Sequence, residues 1–293
     1  MNSRFSTLLL REWMQHKRGW LVTLLAPPAI VLAMLPFGEV NGLPSGAPLA
    51  FGMAVVMATA LSLLAMSSIS TSFQLSGLAR RDVQDRSIEF WLSLPASHSE
   101  SIGATLAAHL LLVPAAILLG GYALGFVMAA GVAVKVGGLA ALADMPWMQV
   151  LAATLPVMGR LLLGLPLALL WLAPLVMLLM NASVWLKRWG IPALVAVLIV
   201  ACAIVPKVYG IHVFSDALRE QVAGAGLALL GNGDGLEEAF RAIEHGDSSG
   251  VGRWVVGDAM NALRATASLQ FFGGLVLAAA GFALLIVRRR RGA

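Results

Sequence analysis

Cysteine and charge are both scarce in this chain, and each scarcity excludes a class of protein. Cys202 is the single cysteine, so neither an internal disulfide nor a cysteine-based metal site can form within the chain. Charged residues make up 12% of the 293 residues, whereas an average soluble domain carries about 25%. The composition therefore excludes an ordinary soluble domain. Because the basic residues flank apolar runs, the net charge of +5 indicates membrane edges and not nucleic acid.

A nucleotide-binding loop is also missing. The P-loop places a lysine directly after a glycine and before a serine or threonine, and none of the four lysines follows a glycine. If ATP drives this protein, we expect a partner chain to bind the ATP and the Mg²⁺. We expect no cofactor and no catalytic residue in this chain.

Long apolar runs dominate what the chain does contain. Hydrophobic residues make up 59% of the sequence, and the mean hydropathy is +0.85. A helix needs about 20 apolar residues to cross about 30 Å of hydrocarbon, and it satisfies its own backbone hydrogen bonds there. We therefore predict an all-α polytopic membrane protein with six transmembrane helices at 19–37, 51–73, 102–130, 161–181, 191–205 with its flanks, and 268–287.

The distribution of basic residues predicts that both termini are cytoplasmic. In that orientation thirteen Lys and Arg residues lie in the inner segments and six in the outer ones. The outer six are also spread over far more sequence. Since Lys and Arg concentrate in cytoplasmic loops, the opposite orientation is disfavoured at every short loop.

Residues 1–18 are predicted to form an amphipathic helix that lies in the plane of the headgroups. One side carries aromatic and leucine residues at helical spacing, and another carries arginines. These residues are Phe5, Leu9, Trp13, His16 and Trp20 on the first side and Arg4, Arg11 and Arg18 on the second. The alternative is a charged leader that only sets the topology.

Polar side chains in the predicted spans are candidates for a translocation path, namely Thr59, Ser62, Ser70, His109 and Arg160. The hydroxyl residues follow a helical repeat, for which close helix packing is the favoured explanation. His109 is expected to bond a neighbouring helix. Arg160 is expected to extend to the outer headgroups, after an interfacial or re-entrant piece at 146–159. In the alternative, Arg160 faces an anionic substrate in a cavity.

Residues 211–267 are predicted to form an extracytoplasmic helical segment before the last span. Eight acidic residues face four arginines there, the reverse of the inner loops. Helices are predicted at 215–230, 236–245 and 251–263. Asp234 with Glu237 three residues later resembles a capping box at the start of the middle helix.

Two patterns that resemble chemical motifs are weak. Gly246-Asp247-Ser248-Ser249-Gly250 matches G-x-S-x-G, but it joins two predicted helices, whereas that chemistry needs a strained turn from a strand to a helix. A flexible linker is therefore favoured over a nucleophile. The five histidines show no ligand spacing such as H-E-x-x-H, so we expect no metal site.

The segment from Arg80 to Trp91 is dense in opposite charges and lies between the second and third apolar runs. It is long enough for about three helical turns. Phe90 and Trp91 are unusual in so short a charged loop, and aromatic residues together with arginine are typical anchors of protein interfaces. The alternative is a solvated loop whose aromatic rings dip into the membrane interface.

These features together resemble the ABC-2-type permeases, the membrane subunits of bacterial ATP-driven exporters. The amphipathic N-terminal helix and the outer helical segment before the last span belong to the resemblance. The specific part is the inner loop, where Asp85-Arg86-Ser87 and then Phe90-Trp91-Leu92-Ser93-Leu94-Pro95-Ala96-Ser97 are similar to the family's D-R…L-x-S-L-P-x-S pattern. The outer segment departs from the family because it is longer than the re-entrant helices usual there.

The resemblance implies that residues 74–101 contain a coupling helix seated in a groove of the ATPase. The residues implied to transmit motion are Arg81, Asp85, Arg86, Glu89, Phe90 and Trp91. It also implies a multi-pass protein of the bacterial cytoplasmic (inner) membrane, which pairs with a second copy of itself and with two ATPase subunits. Since the spans offer mostly apolar walls, an amphipathic peptide, lipid or antibiotic is the expected substrate.

The chain then divides into an interfacial elbow helix (1–18), spans one to five with the coupling loop (19–210), the outer segment (211–267), and the sixth span with a basic tail (268–293). Two rivals from other classes remain at this point. One is a membrane-embedded serine hydrolase that uses Ser248. The other is a non-transporting membrane sensor or anchor.

Overall fold

The computed structural model describes residues 3–40, 48–78, 97–231 and 249–291, and within these ranges the regular structure is helical, with no strand. The prediction of an all-helical protein is confirmed for this part of the chain. The six predicted coupling residues between 81 and 91, the Ser248 pattern, the Asp234–Glu237 cap and the helix predicted at 236–245 lie outside the described residues.

The described residues form eight helical segments, and the third is kinked at Gly137 and Gly138, where the backbone is not helical. Two of them contain short π-helical stretches, at Ala107–Leu112 in the third and at Val200–Ile204 in the fifth. The helices are α1 (Ser3–Met34), α2 (Pro48–Leu78), α3 (His98–Ala143), α4 (Trp147–Leu186), α5 (190–209), α6 (Val213–Leu230), α7 (Ser249–Ala265) and α8 (Leu269–Arg291).

Five helical segments in the described residues are long and apolar enough to cross a membrane. Four of them correspond to α1, α2, α3 and α8. The fifth segment, Trp147–Tyr209, is 63 residues long and includes both α4 and α5. Lys187 has a positive φ of 51° and ends α4, and a single 3₁₀ turn, Lys187–Trp189, separates it from α5. This segment covers the fourth and fifth predicted spans.

The N-terminal region differs from the predicted separate interfacial helix. α1 runs without a break from Ser3 to Met34 and includes both residues 3–18 and most of the first predicted span. Arg11 was expected on a face turned toward the headgroups, but its side chain is buried beside Glu12. The reason is that α1 packs against the bundle through the turn that carries Leu8, Arg11 and Glu12.

The start of the fourth span also differs from the prediction. Residues 146–159 do not form a separate interfacial or re-entrant piece, because α4 is one helix of 40 residues from Trp147 to Leu186. At 1.5 Å per residue such a helix is about 60 Å long, twice the hydrocarbon thickness. The first part of α4 packs against α7, and Val150 and Ala153 share one apolar cluster with Val251.

The most extensive helix contact in the described residues is between α2 and α3, and small residues allow the two backbones to approach. Gly125 of α3 faces the backbone of Val56, and Gly121 faces Ala60 one turn away. A later residue of α3 meets an earlier residue of α2, so the two helices are antiparallel. Around this contact lies the largest apolar cluster of the described residues, which includes Val56, Leu64 and Leu118.

Contacts along the other helices fix their relative directions. α1 runs parallel to α3, since Glu12 meets His109 and Leu24 meets Gly120. α4 is antiparallel to α3, because Tyr122 meets Thr154 whereas Phe126 meets Trp147. α8 is parallel to α4, with Phe271 on Trp171 and Gly281 on Met177. The start of α1 and the end of α8 therefore lie at the same end of the bundle.

We call this the basic end, defined by Arg4, the first turn of α3 and the last turns of α8. The charge of Arg4 acts on Glu100, and the charges of Arg289 and Arg290 act on His98. Leu75 near the end of α2 packs in one apolar cluster with Leu285 of α8. Consequently α2 ends and α3 begins at the basic end, and residues 79–96 connect them there.

A capping box fixes the start of α3. Ser97 accepts a hydrogen bond from the backbone N–H of Glu100 at 3.2 Å, and the Glu100 carboxylate accepts one from the backbone N–H of Ser97 at 2.8 Å. This pairing satisfies two backbone donors that a helix start leaves open. The helix therefore begins four residues before the predicted span at 102.

The outer segment contributes two of its three predicted helices to the described structure. α6 and α7 extend the predicted ranges 215–230 and 251–263 by only two residues at most at each end. α6 packs along α4 instead of lying above the bundle, since Gly164 meets Ala228 and Gly224 meets Trp171. The segment is therefore built into the bundle.

Replacing Gly125 with Ala tests the close approach of α2 and α3. A methyl group at Gly125 would lie within 3 Å of Val56 backbone atoms, and overpacking of this kind costs about 1–3 kcal/mol of unfolding free energy. Gly103→Ala on the same helix is the matched control, because a Cβ there meets nothing within 4 Å. Thermal unfolding in detergent should show a lower Tm for Gly125→Ala and an unchanged or higher one for Gly103→Ala.

Candidate functional site

A fully buried carboxylate, Glu12 of α1, is the centre of the first polar cluster. Its side chain has 0% exposure. One oxygen, Oε1, accepts a hydrogen bond from the Arg11 guanidinium and another from the Thr105 hydroxyl at 3.0 Å. A buried carboxylate without such partners would be strongly destabilising. These two contacts thus explain how an acidic residue is accommodated among apolar helices.

The other oxygen of Glu12, Oε2, faces two imidazole rings. Nε2 of His109 lies 3.4 Å from it, and Nδ1 of His16 lies 3.7 Å from it. Nδ1 of His16 is also 3.1 Å from the backbone carbonyl of Glu12, one turn earlier on α1. The three side chains Glu12, His16 and His109 therefore converge on one point between α1 and α3.

Local helix geometry places His109 at this point. His109 lies in the π-helical stretch Ala107–Leu112, where the wider turn shifts the side chains relative to an ordinary α-helix. Such single π turns occur frequently at functional sites. The expected contact between His109 and a neighbouring helix is present, and that helix is α1.

Aromatic rings cover the cluster. The His16 and His109 rings meet edge to face with centroids 4.7 Å apart, and the Trp20 ring lies 5.3 Å from His109 and 5.6 Å from His16. His109 is 1% exposed, and its Nδ1 has no hydrogen-bond partner among the described residues. Glu12 and His109 are thus enclosed while His16 is partly exposed, and Nδ1 of His109 is left without a hydrogen-bond partner among the described residues.

A carboxylate with two imidazoles has two chemical capabilities. It can hold a proton that is shared between the groups, and it can ligate a divalent cation, because neutral imidazole nitrogens and carboxylate oxygens are both metal ligands. The donor atoms of Glu12, His16 and His109 all lie within 4.8 Å of one another. The cluster is therefore the described group of side chains best suited to binding an ion.

The sequence pattern did not identify Glu12 as a site residue. The predicted N-terminal helix was defined by its aromatic face and its arginine face, and Glu12 lies between these two faces. Two signals were present: Glu12 is the sole acidic residue in the first 38 residues, and it is four residues before His16. The third member, His109, is 97 residues away, so only the packing of α1 on α3 could bring it in.

A second buried charge pair joins α4 to α7, and the same arginine also contacts α6. Arg160 of α4 is 3% exposed, and its Nε donates a hydrogen bond to Asp258 of α7 at 2.7 Å. The prediction that Arg160 extends to the headgroups is therefore wrong. Inside the bundle, the Arg160 guanidinium donates to one carboxylate and to two backbone carbonyls. These acceptors replace the water molecules that would solvate it at the interface.

The remaining donors of Arg160 cap the end of α6. Nη1 donates to the carbonyl of Ala228 at 2.7 Å and Nη2 to that of Leu227 at 3.2 Å. The last carbonyls of a helix lack partners within the helix and carry partial negative charge, so a cation is favourable there. Gly231 follows with φ of 71°, and a side chain at that position would collide with the Asp258 carboxylate.

The other three candidates for a translocation path, Thr59, Ser62 and Ser70, lie on α2 and outside both clusters. Thr59 donates to the Val55 carbonyl at 2.8 Å, and Ser62 donates to the Thr59 carbonyl at 3.0 Å. Ser70 accepts from the Gln74 amide on the same helix. These hydroxyls thus bond within their own helix, while His109 and Arg160 belong to the two separate clusters described above.

The Arg160–Asp258 pair gives a direct stability prediction. Arg160→Met leaves the buried Asp258 without this guanidinium, and breaking a buried pair in this way costs about 3–5 kcal/mol of unfolding free energy. Arg219→Met is the matched control, because its ion pair with Asp216 is 78% and 48% exposed and contributes little. Thermal unfolding in detergent should separate the two variants clearly. Equal Tm values for them would contradict a structural role for Arg160.

No family model matches the chain, and neither the curated proteins nor the solved structures gave a match. The resemblance to ABC-2-type permeases therefore rests on the residues from Asp85 to Ser97 and on the order of the helices.

Proposed function

We propose that this chain is the transmembrane permease subunit of an ATP-driven ABC exporter. The observation that supports the proposal most concerns the two helix ends that flank the charged segment. α2 ends at Leu78 and α3 begins at His98, and both ends lie at the basic end of the bundle, together with the start of α1 and the end of α8. A soluble ATPase docked at that end would reach α2 and α3 through the segment that joins them.

The basic end is proposed to be the cytoplasmic end. Arg4, Arg289 and Arg290 are concentrated there, in agreement with the excess of Lys and Arg on the cytoplasmic side of membrane proteins. The proposed topology has six spans, with α4 and α5 crossing separately and with both termini cytoplasmic. The proposed location is the bacterial inner membrane.

A separate ATPase is part of the proposal because the sequence offers no nucleotide-binding loop of its own. Two copies of the permease with two ATPase subunits would place two coupling segments side by side, with Mg²⁺ and ATP bound in the partner chains. The residues proposed to contact the ATPase are Arg81, Asp85, Arg86, Glu89, Phe90 and Trp91.

The described contacts would allow motion to pass from the charged segment through α2 and α3 to α1. A force applied to residues 79–96 would act on the end of α2 and the start of α3. These two helices pack tightly through Gly121 and Gly125 of α3. The force would reach α1 through the contacts of Glu12 with Thr105 and His109. In this chain α1 is tied to α3 by buried polar groups, so it is proposed to move with the bundle and not to slide in the interface.

The substrate is proposed to be amphipathic, such as a peptide, lipid or antibiotic. Large hydrophobic side chains are exposed along α1, α4 and α5, and a path lined by such residues favours a partly apolar solute. A serine hydrolase using Ser248 and a non-transporting sensor or anchor remain the rivals. Loss of a hydrolytic activity in Ser248→Ala would favour the first, and intact ligand binding without transport in vesicles would favour the second.

Charge reversal of the coupling segment tests the partnership. The variant Asp85→Lys/Glu89→Lys should reduce the amount of P-loop ATPase that co-purifies with the tagged chain from its native membranes by at least tenfold, because the reversed charges repel the former partner groups. Asp216→Lys/Glu220→Lys is the matched control, since it reverses two acids at the same spacing on α6. Undiminished co-purification with the first variant would contradict the coupling role.

Cysteine labelling tests the proposed orientation. In a Cys202→Ser background, Arg219→Cys should react with a membrane-impermeant maleimide in cells whose outer membrane has been opened. Asp85→Cys should react only after the inner membrane is also permeabilised. The opposite pattern of labelling would reverse the topology and remove the docking site from the cytoplasm.

A further inference from the structure

We propose that Glu12, His16 and His109 bind one divalent transition-metal ion, with zinc the best match to the ligand set. This proposal differs from the sequence prediction of no metal site, because that prediction considered only histidines that lie close together in the sequence. It is independent of the permease proposal, because it depends only on the packing of α1 against α3.

The ligand chemistry favours a borderline metal. Two imidazole nitrogens and one carboxylate oxygen suit Zn²⁺, Co²⁺, Ni²⁺ and Cu²⁺, whereas Ca²⁺ and Mg²⁺ prefer oxygen ligands alone. Three protein ligands leave a fourth position for water or another small ligand, which is the arrangement of an open zinc site. The cluster therefore has the ligand number of an open site and not that of a closed structural one.

The separations of the donor atoms fit metal binding better than direct hydrogen bonding. Charge-assisted N–H···O bonds are about 2.7–2.9 Å long, but Oε2 of Glu12 lies 3.4 Å from Nε2 of His109 and 3.7 Å from Nδ1 of His16. Ligands about 2.0–2.1 Å from a tetrahedral zinc ion lie about 3.3 Å from one another. Both contacts to Oε2 are near that edge length.

The surroundings of Glu12 supply an outer shell. Ligating carboxylates are usually hydrogen-bonded through their second oxygen, which fixes their orientation. Here Arg11 and Thr105 hold Oε1, so Oε2 is directed at the two rings. The π-helical turn around His109 supplies the third ligand from the opposite helix.

Two costs limit the affinity. Nδ1 of His16 lies 3.1 Å from the Glu12 carbonyl, so metal binding through Nδ1 requires this contact to open and the ring proton to reside on Nε2. The Arg11 guanidinium also repels a second cation beside Glu12. We therefore expect weaker binding than at closed zinc sites, whose ligands are all arranged for the metal.

Metal binding would clamp α1 to α3. Glu12 and His16 lie on one turn of α1, and His109 lies on α3, so one ion would cross-link the two helices. An ion that binds the folded protein stabilises it by mass action. A rise in Tm with Zn²⁺ that depends on all three ligands is consequently the signature of this site.

The test uses the full-length protein, purified in detergent with a tag that contains no histidine. Co²⁺ titration should give d–d absorption bands that saturate at one ion per chain, and Zn²⁺ should displace them. Zn²⁺ should also raise the Tm by several degrees. Glu12→Gln, His16→Ala and His109→Asn should each weaken Co²⁺ binding at least tenfold and abolish the Tm shift.

His212→Ala is the matched control, because His212 is exposed at the start of α6, and it should bind Co²⁺ as the wild type does. His16→Ala is the informative variant if the buried substitutions fail to fold, since His16 is partly exposed. Unchanged Co²⁺ binding in His16→Ala would overturn the proposal. So would an absence of saturable binding in the wild type, or equal weakening in His212→Ala.

Discussion

The burial of charge among apolar helices is the constraint on which the described structure depends. Glu12 and Asp258 are both almost fully buried, and each is paired with an arginine that is itself buried. In an apolar environment an ionised group without partners is far too costly, so each pair fixes the positions of the helices that carry it. Hydrophobic contacts alone would fix the relative positions of these helices less strictly, because such contacts are not directional.

The two charged clusters hold different sets of helices together. Glu12 joins α1 to α3 and lies two to three turns from the basic end, and Arg160 joins α4 to α6 and α7. Between them, α2 and α3 pack through glycine, where backbones approach closely and dispersion replaces polar contact. A displacement applied to the segment between α2 and α3 would meet the Glu12 cluster at Thr105 and His109 first and the glycine contact at Gly121 and Gly125 next. The proposed coupling mechanism and the proposed metal clamp therefore both act through α3.

The sequence pattern predicted the helices correctly wherever one local physical rule dominated. The apolar runs predicted α2, α3 and α8 because only a helix satisfies the backbone in hydrocarbon. The predicted helix end at 230 agrees with the end of α6 at Leu230, and the structure shows why a glycine follows: φ is positive at Gly231, and the Asp258 carboxylate occupies the space of a side chain. The errors concern residues 3–18 and 146–159, where both segments proved to be parts of longer helices. In each case a buried polar partner from a distant segment stabilises the continuation.

The sequence by itself determined that this is a helical, apolar chain with several helices able to cross a membrane, because composition and run length act locally and need no partner. It also identified His109 and Arg160 as polar residues within apolar runs, but not their carboxylate partners Glu12 and Asp258. Only the tertiary structure decided what those residues bind. Glu12 and His109 are 97 positions apart, and Arg160 and Asp258 are 98 positions apart. Contacts over such distances depend on which helix faces are buried together, and that choice is made by the packing of the whole bundle.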